Sequence, residues 1–427
     1  MQRIASIVRQ FLGGGVGAYA LPAAALLAVI MGQRSSFGLF LSPINSSTAI
    51  GLATLSLAAA VGQLTWGLAQ PVAGMLTDRY GPARVIAVGA ALFALGNVAL
   101  VVAPNAPSFL VALAFGGAVG AAAGGAPLLL GAVNQRVSPA RRGLATGIVS
   151  AGGSAGQLTV APASQAAIAA TGWMNAMLLG ALLTLAVIPL ARAFRARSGD
   201  ERSSGEEGAR SAPIRAPLSP ASRAAVRRAA LRDPYYWLVT AGFSACGFHV
   251  SFMTTHMPGV IELCGMPASL AGTWLAIVGG CNIVGSIVSG MLIQKRSMPH
   301  MLMALYAARA VGVLCFLLAP KTPVVMLLFA LWMGVTYMAA LPPTSGLIAR
   351  RYGAANLSTL LGLTMLFHQA ASFLGVWLGG VAFEVSGSYD WMWMLDIALA
   401  LAAVAVHLPL REGGSSGPLP GAARAAA

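Results

Sequence analysis

A series of long apolar segments, each able to cross a lipid bilayer as a helix, constrains this chain more than any other feature. A membrane-spanning helix needs roughly 20 mostly apolar residues. Twelve segments meet this requirement, near 18–41, 48–74, 82–103, 108–134, 142–168, 173–194, 235–260, 268–292, 299–319, 322–348, 355–382 and 390–410. Only 9% of the residues are charged, against about 25% in soluble domains. The pattern therefore predicts an all-α membrane protein with 12 transmembrane helices.

A hydrophilic stretch at 195–233 separates the twelve segments into two sets of six. It is rich in Arg, Ser, Pro and Glu, a composition typical of disordered linkers. The sequence therefore predicts five regions. They are an N-terminal segment at 1–17, a six-helix bundle at 18–194, this linker, a second six-helix bundle at 234–410 and a tail at 411–427.

The basic residues fall almost entirely on one side of the predicted membrane. With the N terminus in the cytoplasm, all but three of the 26 Lys and Arg are cytoplasmic; Arg34 and Arg309 lie within helices, and Lys321 lies outside. Cytoplasmic loops carry an excess of Lys and Arg, so both termini are expected inside. Anionic lipid headgroups account for the net charge of +15 without a nucleic-acid partner. Richness in Ala, Gly and Arg indicates a bacterial inner membrane.

The second set of helices repeats the first at an offset of about 215 residues. The aligned pairs include Gly32 and Gly247, Arg34 and His249, Pro127 and Pro342, Arg136 and Arg351, Gly147 and Gly362, and, at 216, Gly74 and Gly290. These pairs come from several helices of each half, in the same order. They predict two parallel six-helix pseudo-repeats, an arrangement in which substrate binds near the midplane between the halves.

The loop between the second and third helices carries a recognisable motif, GMLTDRYGPAR at 74–84. It resembles the cytoplasmic loop signature of the major facilitator superfamily, which combines Gly, Leu, Asp-Arg, Gly and a final basic residue. The resemblance covers the whole chain and implies an alternating-access transporter rather than an enzyme. It also implies gating roles for Asp78, Arg79 and Arg84, with Asp78 facing a helix N terminus or an arginine across the interface. The second-half counterpart is degenerate, with Gln294 at the acidic position.

A narrower resemblance lies in the fifth helix, where RRGLATG at 141–147 is followed by AGGS at 151–154. These runs are similar to the fifth-helix signature of monocarboxylate transporters and their bacterial relatives. The runs RSSFGLF at 34–40 and CGFH at 246–249, and the pair His368-Gln369, resemble the same bacterial branch. The resemblance implies a small organic anion as substrate.

Three residues that these related families carry in their helices are missing here, so the resemblance does not identify the substrate. The oxalate–formate exchangers carry an arginine in the eighth helix and a lysine in the eleventh. Here 268–292 contains no arginine and 355–382 contains no lysine. The acidic residue that monocarboxylate carriers place in the first helix is also missing, so substrate identity does not carry over.

Ionisable residues inside the membrane are costly and are functional candidates by default. Arg34 offers a planar fork suited to a carboxylate, and its repeat partner His249 is expected beside the same central cavity. The alternative for Arg34 is pairing with helix carbonyls or contact with outside water. His249 and His368 are candidates for a proton-responsive group, unless they are only hydrogen-bonded in place. Other candidate binding residues, which line the cavity or bridge helices, are Gln157, Asn282, Tyr337 and Gln369.

Arg309 and Asp396 are expected to form a structural ion pair between the ninth and twelfth helices. No metal-ligand cluster appears, so neither a metal nor a cofactor is expected. The expected partners are a small organic anion, protons and membrane lipids, and a monomer is expected.

These observations favour proton-coupled secondary transport of a monocarboxylate-like anion by alternating access. A neutral or vitamin-like solute is an alternative substrate. Drug efflux is disfavoured, because the fifth helix has SAGQ at 154–157 in place of a Gly-Pro motif and 108–134 contains no arginine. A solute-sensing receptor is the alternative without transport, and the linker and tails show no signalling domain.

Overall fold

The computed structural model of this chain is helical throughout its regular parts. It describes residues 16–134, 136–137, 141–195, 220–293 and 295–411. Ten helical stretches are long and apolar enough to cross a membrane. One of them, Leu144–Phe194, holds two spans, because Gly172 interrupts it with a φ of 80°. Pro234–Leu263, at 30 residues, is the remaining span, which gives the predicted twelve.

We number the membrane helices α1 to α12. They are α1 (Leu21–Ser35 and Gly38–Thr48), α2 (Leu52–Tyr80), α3 (Pro82–Val102), α4 (Ala106–Val111, a π-helical stretch Ala112–Val119, Gly120–Ala123 and Ala126–Asn134), α5 (142–171), α6 (173–187, continued by a 3₁₀ stretch Ile188–Phe194), α7 (Pro234–Leu263), α8 (Ser269–Leu292), α9 (Met298–Leu318), α10 (Pro323–Tyr337 and Leu341–Tyr352), α11 (Ala354–Ser386) and α12 (Asp390–His407). A π-helical turn, Val16–Ala20, precedes α1.

The packing of the helices follows the repeat. In the first half α1 packs on α5, α2 on α4 and α3 on α6; in the second, α7 packs on α11, α8 on α10 and α9 on α12. The two halves meet mainly where α2 packs on α11 and where α8 packs on α5. Each contact recurs six helices later, which confirms the two six-helix pseudo-repeats.

The linker is more ordered than its composition predicts. Pro220–Arg232 forms a helix, which we name the linker helix, and Ala230 within it is fully buried. Ala and Arg are strong helix formers, and the helix docks on α10 and α11. The expectation of disorder is therefore wrong for this part. Residues 196–219 of the linker, most of the predicted N-terminal segment and all but Arg411 of the tail lie outside the described residues.

Short turns join most successive helices, so neighbouring spans run in opposite directions. The linker joins α6 to α7 at one end of the bundle, which we name the linker end; the opposite end is the far end. Toward the far end the halves are in tight contact. A Cβ on Gly38 would lie 2.5 Å from the Thr254 carbonyl oxygen, and one on Gly380 would lie 2.4 Å from the Ser56 side chain. The Glu384 carboxylate also accepts the backbone N–H of Ala53, at 2.9 Å.

Toward the linker end the α2–α11 interface opens. Gly67 of α2 packs on the Gln369 side chain of α11. Gly74 lies seven residues beyond Gly67, and Gly362 lies seven residues before Gln369, so each is two turns along the same face. A Cβ on Gly74 or on Gly362 would meet no atom within 4 Å among the described residues. The two helices have therefore separated at this depth.

The α5–α8 interface opens in the same way. Gly279 of α8 packs against the Ser154 carbonyl of α5, where a Cβ would lie 2.9 Å away. Gly147 is two turns before Ser154, and Gly290 is three turns after Gly279, so both continue this interface. Neither has a described neighbour within 4 Å of its Cβ position. The structure is closed at the far end and open at the linker end.

Candidate functional site

A cavity of about 80 Å³ lies among the helices of the first half, and Thr255 of α7 contributes to its wall. Its polar lining consists mainly of Gln33 and Arg34 of α1, Gln63 of α2 and Asn97 of α3. Phenylalanines and small residues complete the wall. A mostly apolar cavity with a few convergent polar groups is the usual form of a small-molecule site.

The backbone of α1 tightens locally just after Arg34. The hydroxyls of Ser35 and Ser36 donate to the Gly32 carbonyl, and such bonds bend helices. Ser36 and Phe37 keep helical φ and ψ, but the Phe37 N–H donates to the Arg34 carbonyl, three residues back. The helix then continues from Gly38.

The Arg34 guanidinium has neutral neighbours. It donates to Gln63 Oε1, and its Cζ lies 4.4 Å from the centroid of the Trp66 ring. The indole Nε1 of Trp66 is buried and has no hydrogen-bond partner among the described residues. No described carboxylate lies within 4 Å of Arg34. The site therefore holds a positive charge with no described counter-ion, stacked on the ring of Trp66, which does not itself line the cavity.

A network of uncharged groups supports this site. Gln33 Nε2 donates to Thr184 Oγ1 at 2.8 Å, and Asn97 Nδ2 donates to Gln33 Oε1 at 3.0 Å. The two bonds tie α1 to α3 and α6. Gln33, Asn97 and Thr184 were not predicted as site residues. Asn97 and Thr184 are isolated polar residues in apolar runs, and Gln33 directly precedes Arg34, so these signals could have found them.

His249 lies in a different place from its repeat partner. Its Nδ1 is 2.5 Å from Asp396 Oδ2 of α12, and the two side chains are 4% and 1% exposed. His249 does not line the cavity that contains Arg34. The expectation that the two residues face one central cavity is therefore wrong, because α12 supplies His249 with a carboxylate partner inside the second half.

The predicted direct ion pair between Arg309 and Asp396 is also wrong. Arg309 Nη2 donates to the carbonyls of Thr336 and, at 2.7 Å, Tyr337. These carbonyls end the first segment of α10, which is interrupted before Pro342. The last carbonyls of a helix lack intrahelical partners, so the guanidinium completes the hydrogen bonding of the interruption.

The predicted Gln157, Asn282 and Gln369 lie where the halves meet rather than in the described cavity. Gln157 packs on Gly279 of α8 and Gln369 packs on Gly67 of α2. Asn282 of α8 donates to Ser154 Oγ at 3.1 Å and accepts the backbone N–H of Met338 at 3.0 Å. These three residues bridge the two halves in this conformation.

The predicted His368 and Tyr337 lie inside the second half. The imidazole of His368 packs against Phe243, with ring centroids 4.8 Å apart, and its Nδ1 has no described partner. The carbonyl of Tyr337 accepts from Arg309 and, at 3.8 Å, from the Cys246 thiol. Both residues therefore lie in the same half of the molecule as the His249–Asp396 pair and Arg309.

Comparison with known proteins identifies the architecture. The family model described as Major Facilitator Superfamily matches residues 23–376. The chain belongs to this superfamily. The fold is similar to that of the crystallised D-xylose-proton symporter, with a TM-score of 0.72 and 14% identity over 92% of this chain and 97% of that one.

Two relatives have names that describe transporters. Monocarboxylate transporter 13 of Rattus norvegicus is 23% identical, over 85% of this chain and 81% of the relative. The oxalate:formate antiporter of Oxalobacter formigenes is 22% identical, over 87% of this chain and 85% of the relative. Members of the superfamily are transporters, and the chain is accordingly a multi-pass membrane transporter rather than an enzyme.

The superfamily loop motif lies at the linker end, where the halves are apart. The side chain of Asp78 lies outside the described part of the structure. Arg79 and Arg84 are exposed, and the Arg79 guanidinium lies 5.3 Å from the Tyr80 ring. Gly81, between α2 and α3, has a φ of 80°, which glycine adopts without strain. The gating roles of Asp78, Arg79 and Arg84 stay predictions.

One charged cluster at the linker end was not predicted. Asp233 caps α7 by accepting the Tyr235 N–H, and its carboxylate also accepts from Arg351 Nε and the Tyr352 hydroxyl, each at 2.8 Å. Burial alone would raise the pKa of Asp233, but these three hydrogen bonds outweigh it and lower the pKa. The cluster ties the start of α7 to the end of α10.

Proposed function

We propose that this chain is a secondary active transporter that binds a small, monocarboxylate-like organic anion at Arg34 and carries it with a proton across a bacterial inner membrane. The observation that carries the proposal is the Arg34 guanidinium, which lines a cavity without a described carboxylate partner. An unpaired charge at membrane depth is costly, and a bound carboxylate would offset that cost through two parallel hydrogen bonds.

A further observation supports an anion. The names of two relatives, a monocarboxylate transporter and an oxalate:formate antiporter, refer to small carboxylates.

The direction of opening follows from the basic residues. We place the linker end in the cytoplasm, because Arg79, Arg84, Arg350 and Arg351 lie at that end and cytoplasmic loops carry the excess of basic residues. In this orientation the structure is inward-open. Alternating access then requires the separated faces of α2 and α11, and of α5 and α8, to close while the far end opens.

Uptake of labelled formate, acetate, lactate and oxalate by cells expressing the chain, with and without an imposed pH gradient, tests the proposal. Wild-type cells should take up at least one of these anions, and Arg34→Ala should lower the initial rate about 100-fold at equal amounts of inserted protein. Lys321→Ala is the matched control, because Lys321 donates to backbone carbonyls and lies over the Phe316 ring, and it does not line the cavity. Equal uptake by Arg34→Ala and wild type would contradict the proposal.

A neutral polar solute is the second candidate, because three amide side chains line the cavity beside Arg34. Gln33, Gln63 and Asn97 offer both donors and acceptors to hydroxyl groups. Labelled D-xylose in the same uptake assay separates the two candidates. Uptake of xylose that the four carboxylates do not inhibit would favour the neutral solute.

A further inference from the structure

We propose that the buried pair formed by His249 and Asp396 is the proton-binding site of the transporter, separate from the anion site and in the opposite half of the molecule. The inference rests on the proposed function, since a proton site has a transport role only if a solute is carried. It goes further by naming the atoms that hold the proton and the charge balance that follows.

The geometry of the pair leaves places for a proton. A neutral imidazole has one N–H donor and one acceptor nitrogen. With Nδ1–H donating to Asp396 Oδ2, the free acceptor of His249 is Nε2. Both His249 Nε2 and Asp396 Oδ1 are buried and have no hydrogen-bond partner among the described residues. The carboxylate orients the ring, and an incoming proton binds at Nε2 or is shared along the 2.5 Å contact.

The surroundings of the pair contain one fixed charge and several weaker groups. Arg309 is the fixed charge, and Asp396 attracts it through space although its hydrogen bonds go to α10 carbonyls. Other titratable groups on the helices packed around the pair include Cys246 and His256 of α7, Tyr306 of α9, Tyr337 of α10, His368 of α11 and His407 of α12. With His249 neutral, the charges of Arg309 and Asp396 cancel; with a proton bound, the group carries one positive charge.

The net charges of the two halves therefore change in opposite directions when anion and proton bind. The empty transporter carries one positive charge on Arg34 and none in the second half. The fully loaded transporter carries none at Arg34, where the anion neutralises the guanidinium, and one on the protonated pair. Loading only the anion or only the proton changes the charge at membrane depth, where charge is costly. The empty and fully loaded forms carry equal charge, so the scheme requires one proton per anion and electroneutral transport.

Proteoliposomes containing the purified chain test this inference with whichever labelled carboxylate wild type takes up. With one proton per anion, a gradient of one pH unit should support an inside-to-outside anion ratio of about ten, reached faster than in protein-free liposomes, and clamping the membrane potential should not change it. His249→Gln and Asp396→Asn should accumulate to a ratio near one, while counterflow against unlabelled anion continues. His256→Gln, a buried histidine two turns away on α7, should accumulate as wild type does.

Two results in this assay would overturn the inference. One is accumulation by His249→Gln and Asp396→Asn that still follows the pH gradient as in wild type. The other is that correctly folded His249→Gln and Asp396→Asn lose both counterflow and accumulation, since that would make the pair a structural bridge between α7 and α12.

A second measurement needs no solute and separates failure of this inference from failure of the proposed function. The chain contains five histidines, so selective ¹⁵N-histidine labelling gives few signals. The His249 signal, assigned by its loss in His249→Gln, should change when the buffer is taken from mildly alkaline to mildly acidic, and Asp396→Asn should alter that change. A His249 signal that stays constant over this range would overturn the proton site even if carboxylate transport is established.

Discussion

Arg34 and His249 occupy equivalent positions in the two repeats, but their surroundings differ in almost every respect. Arg34 lines a cavity and contacts an amide and an indole. His249 is enclosed by its own half and contacts a carboxylate. In our proposals these two positions have different tasks. The position at the cavity wall binds the anion, whereas the enclosed position binds a proton.

The largest expected difference between the two positions is in stability. Asp396→Ala removes one partner of a buried pair and leaves His249 and Arg309 without it, which should lower the free energy of unfolding by about 3–5 kcal/mol. Arg34→Ala removes a side chain at a cavity wall and should change stability by less than about 1 kcal/mol. Thermal unfolding of both purified variants in one detergent measures the difference. Equal losses would mean that Arg34 is as structural as Asp396.

The two interfaces between the halves should close at the same time. Two double-cysteine variants report on this closure, one with Gly74→Cys and Gly362→Cys and the other with Gly147→Cys and Gly290→Cys. In each variant the two cysteines should cross-link several-fold faster when anion and proton are both bound, because closure brings their Cα atoms within about 7 Å. The four native cysteines are unpaired and would first be replaced by serine.

Ser56→Cys with Gly380→Cys at the far end is the matched control and should behave in the opposite way, since those residues already touch. Faster cross-linking of only one of the linker-end pairs would contradict a movement of two rigid repeats.

A smaller effect is expected from the amide network of the first half. Thr184→Val removes the acceptor that holds Gln33, which should cost about 1 kcal/mol and weaken anion binding about fivefold. Proton-driven accumulation per bound anion should not change, because the pair at His249 is untouched. Thr240→Val is the control in the second half, where Thr240 bonds Thr364 of α11. An equal loss of affinity in both variants would mean that the effect is general to the bundle.

The smallest effect concerns a second pair of repeat-related residues, Arg136 and Arg351. Arg136 donates to carbonyls of Ala132 and Phe194, whereas Arg351 donates to Asp233. Because the folded pKa of Asp233 is lowered, its contribution to stability is present above the ordinary carboxylate pKa and is lost as pH falls through the folded value. Asp233→Asn should lower Tm by roughly 1–3 °C at neutral pH and by less in acid. A deficit that grows in acid would contradict this assignment.

Much of the fold was predictable, because membrane spans are long and their backbone hydrogen bonds must be satisfied within each helix. The repeat alignment pairs Arg34 with His249, but the structure gives the two residues different neighbours. The partner of Asp396 was not predictable, since the side chains of Arg309 and His249 can both donate to a carboxylate and hydropathy does not fix which faces of α7, α9 and α12 meet. The cavity within the first half was not predictable either, because hydropathy does not fix which polar side chains of α1, α2 and α3 converge.

Anion affinity measured as a function of pH tests the division of tasks most directly. The protein is purified as wild type, Arg34→Ala and His249→Gln, and binding of the carboxylate that wild type transports best is titrated at several pH values. Wild-type affinity should fall as pH rises, Arg34→Ala should bind about 100-fold more weakly at every pH, and His249→Gln should bind with an affinity that no longer depends on pH. Wild-type affinity in Arg34→Ala, or an unchanged pH dependence in His249→Gln, would contradict the account.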